Sequence, residues 1–158
     1  MGESDGALVL TLSWLSRAAT LVFLVYYTAL DSIGGTGLGR LLINTNALVE
    51  AGQLTPEQLK GVELVLNTTW LDPWVGGVGS FISETGSWAI LAAVALAATA
   101  LLIARKAPWP PLAVLLAFGW QLNAAHASPH GPIAFALLIV AAVWLWWSER
   151  RSASLKPA

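Results

Sequence analysis

Few residues in this chain have chemistry in them. Both histidines, His126 and His130, stand four apart in N-A-A-H-A-S-P-H-G-P, residues 123–132. On a helix, an i, i+4 pair of imidazoles is half of a metal site. Pro129 disfavours helical backbone at Ser128, and Gly131-Pro132 interrupts the stretch again. The spacing therefore predicts two rings across a turn, one helix ending near His126 and the next starting with Ser128 as cap or at Pro132. A histidine in a first helical turn feels the positive end of the dipole, which favours neutral imidazole. With Asp31 and Glu84 the pair makes a nitrogen–oxygen set that zinc or another divalent ion accepts. No second histidine lies on another segment to complete a haem axial pair. Cysteine is absent, which removes thiolate ligands, disulfides and thiol redox chemistry. The expectation is no catalytic residue, no bound metal and no cofactor, with a metal- or redox-linked component built on His126, His130 and Asp31 as the alternative.

The elements that hold these residues are membrane spans. The 158 residues are 56% hydrophobic and 11% charged, with mean hydropathy +0.68; a soluble domain carries about 25% charged residues. Crossing a bilayer takes about 20 apolar residues, and four segments qualify: 7–30, 87–104, 107–125 and 132–148. The first lacks a basic leader and a small-residue cleavage site, so it is read as an anchor. Arg105 and Lys106 between spans two and three, and Arg150, Arg151 and Lys156 in the 149–158 tail, belong on the cytoplasmic side. Both termini are then cytoplasmic, in a multi-pass protein of a bacterial cytoplasmic membrane. Residues 31–86 and the histidine link face out. Trp144, Trp146 and Trp147 fit an interfacial belt. Net charge is −1, which speaks against nucleic acid. The fold class is all-α: a single membrane domain, 1–158, forming a four-transmembrane-helix bundle with a short helical outer excursion.

In the excursion, Thr55, Pro56 and Gln58 predict a capped helix start. Leu59, Val62, Val65 and Leu66 line one side of an amphipathic helix, and a shorter helix around 41–50 precedes it. Glycines 34–39 and 76–80 read as breaks where the chain leaves and re-enters the membrane. The first cluster has no strand before it, so it is no nucleotide loop.

The faces of the spans complete the picture. Ala89, Ala93, Ala97, Ala100 and Ala104 form a small-residue ridge on span two, the normal helix contact in lipid. Ala97 is expected to face another span, and Leu91 and Leu102 to lean away. Ser13, Arg17, Thr20, Leu24, Tyr27 and Asp31 share one stripe of span one by the 3.6-residue repeat. Gly119, Asn123 and His126 share a face of span three, with Gln121 opposite. Tyr27, Asp31, Glu84, Asn123, His126 and His130 thus collect at an outer mouth, as a binding place for a molecule with an apolar tail and a polar head. Ionisable groups at such depth are costly and default to function. The expected protein is a small non-enzymatic membrane protein. It binds membrane lipid or another hydrophobe at that mouth, or serves as a subunit beside a membrane-protein partner or its own copies. A small transporter along the span-one stripe is a further alternative.

Overall fold

The computed structural model describes residues 3–77, 79–124 and 129–154. Among them every regular element is helical: α1 Glu3–Leu30, a π-helical segment Asp31–Leu38, α2 Gly39–Glu50, α3 Pro56–Trp70, α4 Phe81–Ile103, α5 Trp109–Ala124 and α6 His130–Ser154. Three helices are long and apolar enough to cross a membrane: the helical run Ser4–Glu50, α4 and α6. Helix α5, the third expected span, has 16 residues, about 24 Å at 1.5 Å per residue. It carries no charged side chain.

The chain forms two compact units, Met1–Phe23 with Ser87–Ala158, and Leu24–Gly86. In the first, Ile90 and Val94 of α4 meet Phe118 and Leu122 of α5 and Ala134 of α6, flanked by Phe23, Leu115, Leu137 and Leu138. The Phe118 and Phe135 rings lie 6.4 Å apart. Gly119 is buried where a Cβ would meet Val94 Cγ2 and Leu91. Leu91 therefore packs toward α5 rather than leaning to lipid, while Leu102 is 49% exposed as its position on α4 predicts. Prolines sit where helices tolerate them. Pro110 and Pro111 fall in the first turn of α5, and Pro132 in that of α6, where the backbone N–H has no partner to lose. Leu21, Trp120, Ile139, Val140 and Val143 are all exposed. An outer surface this apolar suits lipid, not water.

The second unit is organised around Trp70. The sequence reading expected a break at the glycine run 34–39, but the helix continues through it. Backbone angles stay right-handed helical at both joints (φ −58°, ψ −49° at Leu30; φ −61°, ψ −43° at Gly39), and the chain winds through wider π turns into α2. Missing side chains make those turns feasible: a Cβ on Gly37 would lie 3.1 Å from the Ser32 carbonyl, and one on Gly34 3.3 Å from the Trp70 ring. Glycines 76 and 77 are buried against the backbone and ring of Trp70, where any Cβ would overlap. Their job is close approach, and the Gly77 amide donates to the Trp70 carbonyl at 2.8 Å. Asp72 sets up the turn, accepting from Trp74 N at 2.8 Å and Val75 N at 2.9 Å. Phe81 then packs with Trp74 and Tyr26, ring centroids 5.5 and 5.9 Å away. The α3 start has its capping box: Gln58 N donates to Thr55 Oγ1 at 3.3 Å, and Thr55 N to Gln58 Oε1 at 2.8 Å.

Candidate functional site

The polar stripe of α1 divides on inspection. Ser13 and Thr20 donate back within their own helix, to Val9 O at 2.7 Å and Ser16 O at 2.9 Å. Such bonds satisfy a hydroxyl in lipid but point at no partner. Ser16 does something else: its hydroxyl donates across to the carbonyl of Ala93 on α4 at 2.8 Å. Ala93 is 2% exposed and Ala100 5% exposed. The alanine ridge is thus the contact that brings α4 against α1, and its small side chains let the backbones come within reach of a serine hydroxyl.

Beyond that contact the two helices part, leaving a cleft of about 310 Å³ lined by Val9, Ser13, Ser16, Arg17, Ala97, Ala100, Leu101, Ala104 and Lys106. One wall is alanine. Among the described residues, the polar groups are two hydroxyls and two cations, and no acid lines the space. Arg17 also lies over the Trp14 ring, 5.1 Å from its centroid. Lys106 is fixed by the end of α4, which closes with its amide on Leu101 O at 3.1 Å and the Arg105 amide on Leu102 O at 3.0 Å. That double bond pattern needs a left-handed residue just past the helix, and Arg105 supplies it at φ 51°. A second cleft, of about 350 Å³, opens beside the same turn among Leu102, Arg105, Lys106, Ala107, Pro108 and Ser148. Further along α6, Arg150 and Arg151 stack on Trp146 and Trp147, 4.1 and 3.7 Å from their centroids, which joins the aromatic belt to the basic tail.

The expected outer-mouth residues fall in both units. Tyr27, Asp31 and Glu84 belong to the unit Leu24–Gly86, Asn123 and His130 to the other. Asp31, Glu84 and His130 are exposed, and Tyr27 and Asn123 half-buried. His126 and Ser128 lie outside the described residues. His130 opens α6, and its Nδ1 is 2.6 Å from the Gln121 amide nitrogen. With the amide donating, Nδ1 acts as acceptor and the neutral ring carries its proton on Nε2, so neither nitrogen offers a lone pair to a metal. Among the described residues, no three histidine, aspartate or glutamate side chains gather as a metal would require. Sequence reasoning missed the Gln121–His130 pair, because a helical wheel of α5 does not show where the next helix begins. It also missed Ser16, though Ser16 stands three after Ser13 and four before Thr20 and so shares their face.

Compared with known protein families, with characterised proteins and with solved structures, the chain shows no match.

Proposed function

We propose that the chain is a small non-catalytic membrane protein that binds a phospholipid in the cleft between α1 and α4. The observation that carries this reading is the make-up of the cleft: an alanine wall fit for an acyl chain, with Arg17 and Lys106 as the charges among the described residues that line it. An arginine within a span is costly unless an anion or water meets it, and a lipid phosphate is the anion always at hand there. The reading moves the ligand from the outer mouth inferred from sequence to the basic end of the bundle, because the cleft joins polar and apolar walls in one space.

The membrane arrangement in this proposal is a four-helix bundle in a bacterial cytoplasmic membrane with both termini inside. Helix α5 crosses although it is short. The Arg105–Lys106 turn and the Arg150, Arg151 and Lys156 tail are both basic, and the positive-inside rule puts both on the cytoplasmic side only if α5 and α6 both cross. Local thinning of the bilayer accommodates a short helix at modest cost.

The function is tested by purifying the protein in mild detergent and recording native mass spectra. Retained phospholipid at a fixed ratio is expected, and its loss in Ala97→Leu, which fills the cleft. Protein that carries no lipid, or Ala97→Leu protein that carries as much, would defeat the reading. Topology is tested in the naturally cysteine-free chain with Gln53→Cys and Ser152→Cys. An impermeant thiol reagent on intact cells should label the first and spare the second; labelling of Ser152→Cys would mean that α5 does not cross.

A further inference from the structure

Lys106 lines both clefts at the end of α4. Each adds one arginine, Arg17 in the first and Arg105 in the second, and among the described residues neither includes an acid. The hydroxyls beside them are engaged: Ser13 donates to Val9 O, Ser16 to Ala93 O and Ser148 to Trp144 O, at 2.7, 2.8 and 2.9 Å. Recognition in both clefts therefore falls to cations, the groups that bind phosphate oxygens most strongly.

Arg105 adds an independent observation. It holds φ 51° at the position after α4 where glycine is the default. A side chain there strains the backbone, and a charged one is placed at the mouth of the second cleft. The turn around it is fixed by backbone bonds of 3.0 and 3.1 Å, so Arg105 and Lys106 are presented by a rigid corner.

Resting on the lipid-binding reading above, we propose that the ligand is a phospholipid with two phosphodiesters on one short bridge. One phosphate lies with Arg17 and Lys106, the other with Lys106 and Arg105, and Lys106 stands between them. A lipid with one phosphate fills one cleft only. Two basic clefts that share one lysine call for two phosphates on one ligand, as in a diphosphatidyl headgroup, and basic pockets between spans on the cytoplasmic side of a membrane are where such headgroups bind.

The test uses the full-length protein in phosphatidylcholine nanodiscs containing diphosphatidylglycerol or phosphatidylglycerol at equal phosphate, with retained lipid counted by native mass spectrometry. The wild type should favour diphosphatidylglycerol by about fivefold, the effect of one further surface cation. Arg105→Gly should abolish that preference while still retaining phosphatidylglycerol over phosphatidylcholine; glycine suits the backbone there, so misfolding does not explain a loss. Arg17→Gln should lower retention of both anionic lipids. Equal retention of the two anionic lipids by the wild type, or an intact preference in Arg105→Gly, overturns the inference and leaves lipid binding standing. Retention of no lipid at all overturns both. Displacement of the lipid by millimolar inorganic phosphate would mark a free-anion site and also overturn it.

Discussion

Gly119→Ala puts the α4–α5 seam to the test. The new methyl would overlap Cγ2 of Val94, while its approaches to Cα and Cδ1 of Leu91 are ordinary at 3.5 Å each. Val94 is 7% exposed and part of the core. A valine on a helix is held to one χ1 rotamer, so its methyl cannot swing aside cheaply. Overpacking of this kind costs about 1–3 kcal/mol. Alanine returns up to about 1 kcal/mol of helix propensity on scales measured in water, so the net loss should lie between about 0 and 3 kcal/mol. Val94→Ala alone forfeits the dispersion contacts of two buried carbons and should itself destabilise. In the double variant the new methyl enters the space vacated, so the two losses should not add. The expected coupling is about 1–2 kcal/mol, inside the range seen for residues in contact. Thermal unfolding in detergent, followed by circular dichroism, measures all four corners of the cycle. Strictly additive losses would refute the contact and the packing of α5 on α4 argued from it.

Ser16→Ala should destabilise by about 0.6 kcal/mol, the average for an interhelical bond in lipid, while Ser13→Ala, which loses only a bond to its own helix, should be near neutral in the same melts. Thr55→Ala removes the α3 cap and should cost about 1 kcal/mol, seen as faster amide exchange in residues 57–59. Gly77→Ala, whose methyl would enter the Trp70 ring, should lower the melting temperature, whereas Gly61→Ala on α3, with nothing within 4 Å of the new methyl, should raise it slightly through helix propensity.

Local rules carried the reading of the helices far. Long apolar runs placed 7–30, 87–104 and 132–148 on helices able to cross a membrane, and side-chain chemistry three residues apart located the α3 cap. What misled was glycine. In 34–39 the sequence shows a run of helix breakers, yet the chain stays helical there. Propensity scales price glycine by backbone freedom in water. They do not see that a residue without Cβ also permits wider turns and contact with an indole ring. The same blindness hid the use of Gly76 and Gly77, since Trp70 becomes their partner only after the 71–75 turn folds back.

The candidate site was legible in halves. The alanine spacing on α4 announced a contact face, and the α1 stripe announced polar groups, but a helical wheel cannot say that the two faces meet or where they part. Their meeting is marked by one bond, Ser16 to the Ala93 carbonyl. Their parting follows from what comes next along α4 toward its end: Ala97, Ala100 and Ala104 are too small to fill the gap that Val9, Ser13 and Arg17 leave on α1. Small residues here serve two purposes at once, contact at Ala93 and vacancy beyond it. Charge supplies what size cannot. Arg105 and Lys106 were read from sequence only as a topology signal, yet the left-handed turn at Arg105 that ends α4 sets Lys106 beside the vacancy and both residues beside the second cleft. The residues read from sequence as a topology signal are thus the cations at the end of α4 that line the clefts.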